Sequence, residues 1–205
     1  MKILSIDTSG KVASVALVED GRFIDTIEKN TNLSHSQAVL PVCMELLDRN
    51  EVKLKDIDCF ASVVGPGSFT GLRIGIAAAK GFAMMLDKPL IGISSLECVA
   101  YADENEGKIC SLIRSRENEY FFGVYNISKE KTETIEEGFS DNVPELKEKY
   151  PDAVVVEGEA RAKEAALLAY YHYINKTKDT DVHSVNPMYL KLSQAERMKL
   201  QENNK

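Results

Sequence analysis

The chain has 205 residues, enough for one large domain or two lobes of about 100 residues each. Hydrophobic residues make up 44% and charged residues 28%, with six prolines and twelve glycines, which excludes fibrous and low-complexity classes. The formal net charge of −7 argues against an independent grip on nucleic acid, because phosphate binding draws on counterion release by Lys and Arg.

The opening run Met1–Asp7 is short and broken by an aspartate, so no signal peptide is expected there. No apolar stretch approaches the roughly 18 residues of a membrane span, so a cytoplasmic protein with no membrane partner is expected. Cys43, Cys59, Cys98 and Cys110 are scattered, with no C-x-x-C, and read as reduced, buried small hydrophobes.

Ile3–Asp7 reads as a short apolar strand, followed by strands over Val12–Glu19 and Phe23–Glu28. The Asp20-Gly21 pair between them suits a tight hairpin, because both residues tolerate positive φ. Ser34-His35-Ser36-Gln37 is a capping box. The helix it opens puts Val39, Val42, Cys43, Leu46 and Leu47 on one face, with Glu45, Asp48 and Arg49 opposite. Ile57–Val64 is a near-continuous apolar run, as for a strand buried on both faces. Gly65-Pro66-Gly67-Ser68 is a turn, read as type II with positive φ at Gly67, and Thr70–Leu86 is the next helix. Pro89–Ile93 gives another buried strand. Ser94-Ser95-Leu96-Glu97 is a second capping box, opening a helix to about Ala102.

After the acidic segment 103–107 the pattern begins again. Extended segments run over Lys108–Ile113, Glu119–Ile127 and Thr132–Gly138, then a helix over Val143–Lys149, a strand over Ala153–Glu157 and a helix over Glu159–Tyr173. The order β-β-β-α-β-α-β-α in the first half thus recurs as β-β-β-α-β-α in the second. Two α/β lobes are expected, 1–103 and 104–190, each a mixed sheet with packed helices. A third capping box, Ser193–Glu196, opens a final polar helix within 191–205.

The stretch Gly65–Gly75 carries the most information. Ser68 and Thr70 are candidate caps. On a wheel, Arg73, Lys80 and Asp87 share one stripe, and Gly71, Gly75, Ala78 and Phe82 lie opposite. A glycine inside a helix costs ~1 kcal/mol relative to alanine, so two of them one turn apart need a reason. Close approach of another backbone is the simplest, and two sources stay open: the chain's own sheet or a partner subunit. A phosphate cradle is a third reading, since a helix start after a glycine-rich turn favours anions. The stretch has neither G-x-x-x-x-G-K-[ST] nor any lysine to support it.

The three histidines, His35, His172 and His183, form no i,i+4 pair, so no metal site is expected. Tyr170, Tyr171 and Tyr173 cluster in a segment that is not basic, and they read as core packing.

Ile6-Asp7-Thr8-Ser9, His35-Ser36 with Leu40-Pro41, Gly65 through Gly75, Ala79-Lys80-Gly81 and Gly92–Glu97 together resemble the TsaB/YeaZ family. Asn186–Lys191 with Ala195-Glu196 is similar to that family's C-terminal signature. The stretch Arg114–Glu119 departs from the Asp-Ala-Arg-Arg-like sequence with which members tend to open the second lobe.

The resemblance implies the actin-like, sugar-kinase-like ATPase fold, ribonuclease H-like in each lobe. It implies a non-catalytic dimerisation or scaffold subunit in the transfer of threonylcarbamoyl to N6 of adenosine 37 of tRNA. The implied partners are a TsaD-like catalytic subunit, a TsaE-like ATPase and, when alone, a second copy, with tRNA met only through them. The family motif here is Gly65, Pro66, Gly67, Ser68, Phe69, Thr70, Gly71, Arg73 and Gly75. Its interface is expected on the first two helices, at His35, Val39, Leu46, Gly71, Gly75, Ala78 and Phe82. Asp7, Thr8 and Ser9 stand where actin-fold ATPases place a first phosphate loop, but those loops usually have glycine where this chain has Ser9. ATP is therefore expected to bind only weakly or through a partner complex, and a weak kinase-like ATPase is the rival reading.

Overall fold

The structure, a computed structural model, describes residues 1–30, 35–102, 106–128 and 131–190, with the side chains of 35–38 outside the described set. The capping boxes Ser34–Gln37 and Ser193–Glu196, the His35 side chain and the final helix expected within 191–205 therefore lie outside the described residues.

The first sheet holds β1 (Lys2–Asp7), β2 (Val12–Glu19), β3 (Arg22–Asn30), β4 (Cys59–Gly65) and β5 (Leu90–Ser94) in the order β3-β2-β1-β4-β5. Its three N-terminal strands pair antiparallel, and β4 and β5 add in parallel to β1. The hairpin turn between β2 and β3 takes positive φ at both Asp20 (50°) and Gly21 (73°), as the Asp-Gly pair predicts. The second sheet, order β8-β7-β6-β9, is built from β6 (Gly107–Arg116), β7 (Glu119–Ser128), β8 (Lys131–Ser140) and β9 (Val154–Glu157). Its pairing repeats that of β3-β2-β1-β4, so the topological repeat legible in the sequence is present in the fold.

Alternation along β1 and β2 divides the first core into two layers. Leu4, Ile6, Val15 and Leu17 face α1 (His35–Arg49) and α2 (Phe69–Leu86). Ile3, Ala16 and Val18 face the opposite way, and what covers them is α5 (Ala162–Asn175), a helix of the second half. Its Ala162, Ala165, Ala166 and Ala169 are fully buried or nearly so. Conversely, α3 (Ser95–Ala102), from the first half, places Leu96 and Ala100 on Ile109 and Tyr125 of the second sheet. The short α4 (Val143–Lys149) covers the other face of that sheet through Leu146. Residue 103 is thus a point in the chain order rather than a packing boundary, because each half lends the other a helix.

After α5 the chain returns along the first lobe as a strap. Leu90 N–H donates to Thr180 O at 3.1 Å and Met188 N–H to Val64 O at 2.7 Å, while Val185 is buried in the first core. The helix α2 has 18 residues and is, by length and composition, apolar enough to cross a membrane, which corrects the expectation that no segment is. Here its Leu72, Ile76, Ala79 and Ala83 pack on the sheet.

Candidate functional site

Functional groups gather at the seat of α2, with the surface its other side presents, in the cleft between the lobes, and around a buried acid on α3.

At the end of β1 the chain turns through Thr8-Ser9-Gly10. The N-terminus of α2 rests on this turn through three contacts. Thr8 Oγ1 donates to Gly71 O at 2.6 Å, Ser68 N–H donates to Ser9 O at 2.7 Å, and Gly67 lies against Ser9. A Cβ on Gly71 would overlap Thr8 O, and one on Gly75 would overlap Thr8 Oγ1. Of the two readings of these glycines, the chain's own first sheet is therefore the close neighbour, through the backbone of Thr8 at Gly71 and its side chain at Gly75. Ser68 is the N-cap, accepting from Gly71 N–H at 3.2 Å, and Thr70 is inside the helix rather than capping it. The positive φ of the preceding turn falls at Gly65 (122°), beside Met188 O of the strap, and not at Gly67.

The residues expected at a partner interface mostly face inward. Val39, Leu46, Gly71 and Gly75 are buried, and Ala78 and Phe82 pack against the same core, with Phe82 stacked on Phe60. Sequence reasoning selected the core face of each helix, because the apolar periodicity that defines a helix marks what its own sheet covers. The outward faces carry other apolar groups: Leu40 and Met44 on α1, Phe69, Met84 and Met85 on α2. Met84 and Met85 are 59% and 64% exposed, and among the described residues nothing lies within 4 Å of a Cβ built on the neighbouring Gly81. The spacing of Leu40 and Met44, one turn apart and off the core stripe, was the readable signal. Near the start of α2, Phe69 stacks on Tyr189 of the strap with centroids 5.3 Å apart. Arg73 lies over Phe69 and donates to the Tyr189 hydroxyl at 3.1 Å.

The cleft between the lobes has a volume of about 1180 Å³. One wall comprises Ser9, Gly10, Lys11 and the Pro66–Ser68 turn; the other includes Arg114, Glu157, Glu159 and Arg161. Asp7 does not line it. This carboxyl is fully buried, with Oδ1 accepting from Ser9 N–H at 2.8 Å and Oδ2 without a partner among the described residues. Burial pushes its pKa up to about 6, against the opposing pull of the Ser9 hydrogen bonds.

The groups that would receive a nucleotide's phosphates are engaged within the chain. Arg114 Nε pairs with Glu157 at 3.0 Å, and Arg161 pairs with Glu159 at 3.3 Å and Glu28 at 3.4 Å. Ala162 N–H, at the start of α5, donates to Ser14 Oγ at 2.9 Å. The cleft is roomy enough for a nucleotide, but as it stands these residues do not fit one.

A third cluster had no sequence signal. Glu97, expected to cap α3, is buried (2% exposed) and turned away to hold His172 Nε2 at 2.6 Å and Lys178 Nζ at 2.6 Å, and it accepts from Thr132 Oγ1. Ser94 alone keeps the capping role, its hydroxyl accepting from Leu96 N–H at 3.2 Å. Glu97 and His172 are 75 positions apart, and only the exchange of α3 and α5 between lobes brings them together.

Comparison with known proteins agrees with this architecture. A family model described as TsaD, tRNA N6-adenosine threonylcarbamoyltransferase, matches residues 28–195. A tRNA threonylcarbamoyladenosine biosynthesis protein TsaB from Escherichia coli is 36% identical over 131 residues, covering 61% of this chain and 55% of that protein. The chain thus spans about half the length of that relative. The Bacillus subtilis protein of the same name is 28% identical with 96% of each chain covered. Among solved structures, YeaZ from Pseudomonas aeruginosa superposes with a TM-score of 0.77 at 26% identity, covering 92% of this chain and 99% of that one.

Proposed function

The chain belongs to the TsaB/YeaZ family, and from that premise we propose that it is a non-catalytic, dimer-forming subunit of the machinery that makes threonylcarbamoyladenosine on tRNA. In this reading it supports a TsaD-like catalytic subunit and works with a TsaE-like ATPase. A net charge of −7 fits a protein that meets tRNA through those partners.

The observation that carries the reading is the outward apolar face of α1 and α2, above all Met84 and Met85 beside the open Gly81. Exposed methionines are adaptable contact groups, and an exposed small residue next to them lets a facing helix approach closely. Charge at Met84 and Met85 faces water in the free chain, so it should leave the fold intact. The test is co-purification of the full chain with its TsaD-like paralogue, comparing wild type with Met84→Glu/Met85→Glu. Association weakened at least tenfold at unchanged melting temperature is expected; full-strength binding by a well-folded variant would defeat the reading.

A weak ATPase of the same fold is the second reading, and one observation favours it: the unpartnered Oδ2 of buried Asp7 beneath the Ser9-Gly10 turn. Robust ATP turnover by the purified chain alone, abolished by Asp7→Asn, would replace the scaffold reading with this one.

A further inference from the structure

The misfit between the cleft and a phosphate-bearing ligand has a specific cause in the segment Glu157-Gly158-Glu159. Its walls are otherwise suitable. Gly10 leaves the first turn bare on this side, and Lys11, Arg114 and Arg161 bring positive charge to the walls. The end of β9, however, sends a carboxylate to each side of Gly158. Glu157 pairs with Arg114. Glu159 pairs with Arg161, and its Oε2 sits 3.6 Å from the Cβ position of Gly10, over the one residue of the first turn bare enough to admit an anion. The segment is fixed to the sheet: Glu157 is in register with Leu112, and Gly158 N–H donates to Leu112 O at 3.1 Å. The carboxylates can rotate, but their backbone cannot carry them out of the cleft.

We infer that Glu157 and Glu159 are the specificity-determining residues of this cleft. They stand in for the anion its cations would otherwise bind, and so exclude polyphosphates. The inference rests on the scaffold reading and deepens it, since it gives a physical reason why the fold's cleft stays out of nucleotide chemistry. The pairs are half-exposed, so each contributes little to stability. Their effect on a polyanion is different: an incoming triphosphate meets two fixed negative charges and must compete with both for the arginines.

The test uses a fluorescent N-methylanthraniloyl-ATP with Mg²⁺ and the full chain. Glu157→Gln/Glu159→Gln is expected to bind the probe at least tenfold more tightly than wild type, and the gain should shrink as salt rises. Adding Arg161→Gln should abolish the gain. A control with the same charge change at distant exposed sites, Asp48→Asn/Glu148→Gln, should gain less than twofold. The inference falls if the double variant binds no better than wild type, or if the distant control gains equally. Association with the TsaD-like paralogue, measured on the same samples, separates the two failures. Intact association without a gain overturns only the role of the two carboxylates, whereas ATP turnover by wild type alone overturns the scaffold reading itself.

Discussion

Asp7 and Glu97 are both acids out of water, and their surroundings send them in opposite directions. Asp7 is held only by Ser9 and has an Oδ2 with no partner among the described residues, and burial lifts its pKa from 3.8 to about 6. A raised folded-state value means that the associated stability is present below about pH 4 and is lost as pH rises through 6. At pH 8 the ionised group therefore costs up to about 3 kcal/mol. Asp7→Asn keeps an oxygen for Ser9 N–H and removes the charge. Urea unfolding should show a gain approaching that size at pH 8 and almost none at pH 4; an equal gain at both pH values would mean that the charge is not the cause. For Glu97, burial by itself would raise the pKa, but the Lys178 charge and the His172 hydrogen bond outweigh it and hold the group at about 2. The sign reverses: its stabilising contribution is present above about pH 4.5 and disappears as pH falls towards 2. Glu97→Gln should cost on the order of 3 kcal/mol in the same assay, because it leaves the Lys178 ammonium without its counterion inside the cluster. A cost near zero would show that the cluster is dispensable. Asp7 was legible at the end of an apolar strand, whereas Glu97 read as a helix cap because capping boxes are local patterns and its true partners are distant.

At the scale of elements, α2 contains glycines of two kinds. Gly71 and Gly75 are there because Thr8 occupies the place of their side chains, and Gly81 faces open space. Gly71→Ala should therefore destabilise by several kcal/mol, through a clash with backbone that cannot move aside. Gly81→Ala should stabilise by about 0.5–1 kcal/mol, through the lower chain entropy of alanine in the unfolded state. Thermal melts of the two variants check both signs, and similar effects would refute the assignment. The sequence contained the demand for a close neighbour but not its identity. Two glycines one turn apart announce that something approaches, and only the fold shows that it is residue 8.

For the whole molecule, the order of elements and the repeated β-β-β-α-β-α pattern were readable from periodicity, since each element announces its own buried face. The exchange of α3 and α5 was not. Which sheet a helix covers depends on loop paths and on the second face of each sheet, neither of which leaves a local mark. Its energetic consequence is that the lobes share cores, with Ala165 and Ala169 of α5 packed among Ile3, Ala16 and Ala61 of the first sheet. Denaturation followed by far-ultraviolet circular dichroism and by tyrosine fluorescence should give coincident single transitions. A fragment of residues 1–103, which lacks α5, should not fold; a cooperative melt of that fragment would contradict the shared core.

The lent helix also sets a timetable. On the ribosome the first five-stranded sheet is synthesised early, yet one of its faces stays bare until Asn175 has emerged, about 80 residues after the strands are complete. At roughly 5–20 residues per second that wait lasts on the order of 4 to 16 seconds. During it Ile3, Ala16 and Val18 are exposed on a nascent chain, so this protein should draw on holding chaperones early in synthesis and little once released.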